Sequence, residues 1–175
     1  MRWAPFSHEG KQYDLHHLHP KTVTYLQPAK GLAPPRSYKV EIIFSLHCFT
    51  RGMEGETPDP ALLYSDSRDT RIFDFRRYEL SHHLPAIIDL LMTRKCFHTG
   101  RGNYFTVEII EQGQRIDYEV YFAVSKASKG GLNLYVQSAY GRDTAHRANR
   151  PQRKPIAFSI ILFNTLTGRP IKVPT

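Results

Sequence analysis

Between Asn103 and Tyr140 apolar and polar residues alternate through three consecutive stretches, NYFTVEIIE, IDYEVYFAVS and LNLYVQSAY, and no other feature restricts the fold as much. A side-chain period of two places each stretch on a sheet with one buried face. Phe105, Val107 and Ile109 share a parity, as do Tyr118, Val120, Phe122 and Val124, and then Leu132, Leu134 and Val136. The links around Gln112-Gly113-Gln114 and from Lys126 to Gly131 have hairpin length, so an antiparallel meander is expected. The other parity holds Tyr104, Thr106, Glu108, Tyr121, Ala123, Asn133, Tyr135, Gln137 and Ala139. That surface is aromatic and polar, suited to binding or to partial cover by the N-terminal arm.

Upstream, YKVEIIFSLHC over residues 38–48 alternates in the same way and reads as another strand with one buried face. Leu80, Leu84, Ile87, Ile88 and Leu91 recur at steps of three and four, and with Pro85 in its first turn this spacing predicts the main helix, running to about Lys95. Ile156 to Asn164 reads as a further strand, and because Ile156 to Phe163 is apolar on both parities it is expected to be central and covered on both faces. Short extended pieces are expected around 71–75 and 171–173, and residues 51–60, RGMEGETPDP, suit an exposed connection. Residues 1–37, with prolines at 20, 28, 34 and 35, show no sustained period and read as an irregular arm pinned by Tyr13, Leu15, Leu18, Val23, Tyr25 and Leu26. The expected architecture is α+β: an antiparallel sheet of about five strands, one main helix and an irregular N-terminal arm (1–37) packed on a single domain (38–175).

Apolar residues make up 41% of the 175 and aromatics 12%, enough for a self-sufficient core and unlike a disordered chain. No apolar run approaches the roughly 20 residues of a membrane span, and MRWAPFSHEGKQ lacks the apolar core of a secretory signal. The cytoplasm is therefore the expected compartment, with Cys48 and Cys96 as reduced, buried thiols. His47-Cys48 and Cys96-x-His98 supply metal-ligand types, but neither has the two to four intervening residues of paired zinc ligands, and no metal or other cofactor is expected. His16-His17-x-His19 and His82-His83 read as exposed histidines. The absence of Walker, GxGxxG, GxSxG and HExxH motifs argues against nucleotide-fold enzymes, lipase-like hydrolases and zincins.

Charge points to a partner. Of a net +8, a surplus of six falls in residues 141–175, where seven Lys or Arg face one Asp. Tyr140 to Lys154 concentrates it: Arg142, Arg147, Arg150, Arg153 and Lys154 stand with His146, Tyr140 and the single Asp143. A cationic connection anchored on a sheet, too long for a hairpin and kept out of the ladder by Pro151 and Pro155, can seat a polyanion. Arg forks onto phosphate, His exchanges protons near neutrality and Tyr stacks on bases, so RNA is the expected partner. Metal-free cleavage needs a base for the ribose 2′-OH, an acid for the leaving oxygen and cations around the transition state. His98 and His146 fit as the acid/base pair, Arg142 as the stabilising cation and Tyr140 as the positioning group, with Lys95, Arg101, Arg147, Arg150, Arg153 and Lys154 gripping the strand. A purely structural reading stands beside this one. Exposed basic loops are often only solvated, and Lys95 and Arg101 at a helix end complement the helix dipole.

The order of one helix followed by strands carrying NYFTVEII, YEVYFAV, LNLYVQSAYGRD and AFSIILFN resembles the small ribonuclease superfamily of barnase, EndoU, certain colicins and RelE-type toxins, over roughly residues 80–165. Ser138-Ala139-Tyr140 looks like the strand end that precedes a polar loop in toxin members. The resemblance implies a metal-independent endoribonuclease of toxin type, cleaving through a 2′,3′-cyclic phosphate and paired with an acidic inhibitor protein. The alternative is a non-enzymatic module, such as a regulator or phage-defence component, that grips nucleic acid or a protein. A third class, a homo-oligomer burying the Tyr121/Tyr135 face, remains open.

Overall fold

The computed structural model describes residues 2–53, 55, 57–99, 103–111, 113–128, 130–142 and 154–172. A hairpin of β1 (Phe6–His8) and β2 (Lys11–Tyr13) opens the chain. Strand β3 (Lys21–Gln27) then pairs antiparallel with β4 (Arg36–Phe44). The region read as an irregular arm thus donates an edge strand. Pro20 and Pro28 bracket β3 without interrupting it, and Val23 and Tyr25 take the inward parity between threonines. Three short strands, β5 (Thr50–Arg51), β6 (Leu63–Ser65) and β7 (Thr70–Phe73), make a small sheet in the order β5-β7-β6.

Two short helices follow, α1 (Phe75–Ser81) and α2 (Leu84–Asp89), and then a 3-10 turn at Leu91–Thr93. The single helix expected from Leu80 to Lys95 is broken because the ring of Pro85 cannot sit under the carbonyl of Ser81 in a continuous helix. Asp74 caps α1 by accepting the Arg77 backbone N–H at 2.9 Å. Strand β8 (Lys95–His98) begins where that helix was expected to end, and the meander β9 (Asn103–Glu111), β10 (Gln114–Lys126) and β11 (Leu132–Arg142) matches its alternation. Beyond it, β12 (Lys154–Ala157) leads directly into α3 (Phe158–Thr167).

The main sheet has seven strands in the order β12-β8-β9-β10-β11-β4-β3, antiparallel except for β4 against β11. The α+β class holds, with more strands and more than one sheet. Pro155 lies within β12, contrary to its expected exclusion from the sheet, because β12 is an edge whose outer side needs no ladder bond. Helix α3 occupies the segment read as a doubly covered strand. A short run apolar on every side suits either a buried strand or a packed helix, and Gly168, at φ +72, ends this one with a left-handed cap.

Tyr118, Val120, Phe122, Leu134, Val136, Ala139, Val40 and Ile42 form the buried face of the sheet, and the helices cover it with Leu80, Leu84, Ile88, Phe158, Ile161 and Leu162. A second aromatic cluster joins the small sheet and hairpin to this core: Phe6 stacks on Phe73 at 4.0 Å, and Trp3 meets Phe49 edge-on at 5.3 Å. Cys48 and Cys96 are buried thiols, each pushed up to about 12 by burial. Among the described residues no helix is long and apolar enough to cross a membrane.

Candidate functional site

One irregularity builds the site. Tyr121 faces Ser138 across the β10/β11 ladder while Phe122 faces Val136, so Gln137 is an extra residue, a β-bulge. Its polar backbone is accommodated: Ser45 donates its N–H to the Val136 carbonyl at 3.0 Å and its hydroxyl to the Gln137 carbonyl at 2.6 Å, where β4 parts from β11. Beyond the bulge the parity of β11 is inverted. Ala139 and Gly141 join the buried face, against the expectation for Ala139, and Ser138, Tyr140 and Arg142 share the open face with Glu119 and Tyr121. Gly141 eases that packing: a Cβ would sit 3.0 Å from both Ile116 Cγ2 and Leu80 Cδ1, so those side chains would have to give by a few tenths of an ångström for α1 to stay this close.

On the open face Glu119 is the centre of a polar network. It is fully buried, and its Oε2 lies 2.7 Å from Arg142 Nε and accepts the Tyr121 hydroxyl proton at 2.7 Å. The Arg142 side chain is only 4% exposed. Burial alone would lower its pKa, but hydrogen bonding to Glu119 and Tyr121 and the Glu119 charge outweigh that and raise it. Burial, with the hydrogen bonds to Tyr140 and Glu119, likewise raises the Tyr121 phenol. The Tyr121 and Tyr140 rings are nearly parallel, 17° apart with centroids at 5.9 Å.

Arg77, from α1, reaches the exposed edge of β11 with its guanidinium 5.2 Å over the Tyr140 ring. Nη1 donates to the carbonyls of Thr50, at 2.8 Å, and His47, at 3.3 Å. Alongside, Asp69 Oδ2 lies 3.6 Å from His47 Nε2 and 3.5 Å from Arg71 Nη1, and Arg71 Nε donates to Thr50 Oγ1 at 3.0 Å. Burial and the Arg71 charge lower the His47 pKa against the pull of Asp69, which favours the neutral imidazole. A cavity of about 400 Å³ opens beside this group, lined by Trp3, Ile43, Leu46, His47, Asp69 and the half-exposed Tyr135.

The residues picked out by sequence separate. Tyr140 and Arg142 are neighbours on the open face, but Arg142 is tied to Glu119 and acts as an internal ion pair. His98 is not with them. Register aligns it with Asn103 and, through β9, with Phe122, so it belongs to the helix-covered face and is 9% exposed. It also stands three strands from β11, about 14 Å at the usual interstrand spacing. The expected site, with His98 and His146 as the acid/base pair beside Arg142 and Tyr140, is therefore corrected for His98: the sheet lies between it and the two described members of that group. Lys154 faces His98 from β12 and is partly buried. Lys95 is exposed and shares a parity with Phe97, whose register continues through Tyr104 and Tyr121 to Ser138, so it is on the open face. Arg101, His146, Arg147, Arg150 and Arg153 lie outside the described residues. No cluster of three or more His, Cys, Asp or Glu able to hold a metal occurs among the described residues.

Sequence reasoning missed Arg77 and Glu119, and weighed His47 only as a metal-ligand type. Arg77 and His47 meet β11 only through tertiary packing, which no local spacing reports. Glu119 had a signal, a carboxylate inside the apolar run YEVYF, flanked by a tyrosine two residues on.

The fold and site define an α+β protein with helices on one face of a seven-stranded sheet and a tyrosine- and arginine-bearing patch on the other. Residues 5–166 match the YjaZ family model, and the chain belongs to that family. It is 30% identical over 179 residues to Protein YjaZ of Escherichia coli (strain K12), with 99% of this chain and 96% of that protein aligned. No solved structure matches.

Proposed function

We propose that this chain is an RNA-binding protein that holds a single strand on the open face of the main sheet without itself breaking it. The supporting observation is the parallel Tyr121/Tyr140 pair on a partly exposed strand end, with Arg77 over Tyr140 and the exposed Tyr135 ring on the same face. Aromatic rings on a sheet take unstacked bases, and nearby cations follow the backbone. Lys95 extends the cationic border on this face, and the net charge of +8 favours association with a polyanion. Cleavage through a 2′,3′-cyclic phosphate is the narrower proposal; it would require an acid/base partner other than His98, which lies beneath the sheet.

Fluorescence anisotropy with labelled single-stranded and duplex RNA tests the reading. Saturable binding of the single strand at low salt is expected, and Tyr140→Ala should weaken it about 5- to 150-fold, the range for loss of one stacked base. Equal affinity of wild type and Tyr140→Ala, or a preference for duplex, would reject it. Incubating the same RNA in EDTA reads the narrower proposal, since shortened product would restore the ribonuclease reading.

A further inference from the structure

Among the cations around the open face, Arg77 differs in its bonding. Arg142 has Glu119 at 2.7 Å and Arg71 has Asp69 at 3.5 Å. Arg77 has no carboxylate within ion-pair distance among the described residues. Of the acids closest to it in sequence, Glu79 pairs with Arg76 at 4.0 Å, and Asp74 gives Oδ1 to the Arg77 backbone N–H. Nη1 is bound to two backbone carbonyls, which hold the side chain in place and leave the Nε and Nη2 hydrogens of the fork uncommitted. The Tyr140 ring fixes the plane of the guanidinium, and Thr50 and His47 fix its reach.

A partly buried guanidinium, held in place and with no ion-paired carboxylate among the described residues, is a preformed half of an arginine–oxyanion pair, and its planar fork matches two oxygens of a phosphate. Arg71, on the same flank, carries further guanidinium N–H groups beside those directed at Asp69 and Thr50.

We infer that Arg77 is the anchor for one phosphate group of the bound strand, seated against the edge of Tyr140 at the end of β11 that β4 does not pair. This rests on the RNA-binding reading and assigns it a specific contact: the backbone is gripped from α1, and the base next to that phosphate lies on the Tyr140/Tyr135 side of the sheet. Arg142, despite its position in the basic run, does not contact the strand.

The test uses the full chain. Wild-type protein is treated with phenylglyoxal, an arginine-selective reagent, and modification of Arg77 is followed by mass spectrometry with no addition, with inorganic phosphate and with a single-stranded oligouridylate. Both ligands should slow modification of Arg77 at least threefold, more than they slow Arg36 or Arg169, which lie over the Phe163 ring. In binding titrations Arg77→Gln should flatten the dependence of log affinity on log salt by about 0.7, one phosphate contact to a single strand. Protection by phosphate without RNA binding would keep the anion seat and discard the RNA reading. RNA binding that depends on Tyr140 but leaves Arg77 unprotected, or an unchanged salt slope in a folded Arg77→Gln protein, would overturn the inference and keep the RNA reading. Should Arg77→Gln fail to fold, the wild-type protection pattern decides.

Discussion

Replacing Glu119 with Gln isolates what holds the open face together. The substitution keeps the shape and an acceptor for Tyr121 but removes the charge 2.7 Å from Arg142 Nε. Since Glu119 is fully buried and the Arg142 side chain only 4% exposed, the arginine would keep its charge, out of water, after losing the carboxylate 2.7 Å from its Nε. Breaking a buried pair from one side typically costs 3–5 kcal/mol; Asp117 still faces Arg142 across the ladder, so about 3 kcal/mol is expected. For a chain of this size that corresponds to a fall in melting temperature of roughly 6–12 °C. Removing both charges, in Glu119→Gln with Arg142→Met, should recover more than half of the loss, because no ion is then stranded. Urea unfolding of the two single variants and the double, at constant m-value, measures this. A loss for Glu119→Gln below about 1 kcal/mol, as for a surface pair, would refute the buried-pair account and return Arg142 to the candidates for ligand contact.

Two further substitutions test separate parts of the fold. His17 stacks on His82 at 3.9 Å and shares a 2.8 Å hydrogen bond with Ser81, and burial, followed by the His82 charge, lowers its pKa from 6.5 to about 4 against the pull of Asp14. The unfolded chain therefore takes up the proton first: this contribution is complete above about pH 6.5 and is lost as pH falls toward 4. At full weight it is about 3.4 kcal/mol, discounted to on the order of 1–2 kcal/mol for a half-buried ring. Urea midpoints between pH 7.5 and 4 should show a smaller decline in His17→Gln than in wild type, and parallel declines would count against the assignment. At the turn between β10 and β11, Gly131→Ala should cost about 2 kcal/mol or more, because φ is +82 and the new Cβ would lie 2.9 Å from the Lys39 carbonyl oxygen. Gly130→Ala, at φ +83 with open space around it, should cost about 1 kcal/mol, and equal melting temperatures for the two would sink the steric account.

The meander was legible in the sequence because each of its strands has one wet and one dry face, and alternation reports that directly. Helix α3 was not, since Ile156 to Phe163 presents apolar groups on every side; the informative residue was Gly168, just beyond the segment inspected. Pro85 was correctly placed in a first helical turn, but its consequence for the preceding turn, a break after Ser81, was not drawn. At the site, Tyr140 and Arg142 were found because they are close in sequence as well as in space. His98 was misassigned because residue type cannot tell which side of a sheet a side chain occupies. Arg77 was overlooked because its importance comes from an edge of β11 that β4 leaves uncovered, a fact of topology absent from any local window.

The surplus residue at Gln137 gives β11 two incompatible readings, one on each side of it. Excising that single amino acid would restore plain alternation and leave every later side chain where it is, with Val136, Ser138, Ala139 and Tyr140 in step with Phe122, Tyr121, Val120 and Glu119; what would go is the carbonyl that takes the Ser45 hydroxyl proton. A one-codon deletion here should therefore be milder than a one-codon insertion, which would leave two surplus residues in the strand, a contrast by which variation among relatives can be read.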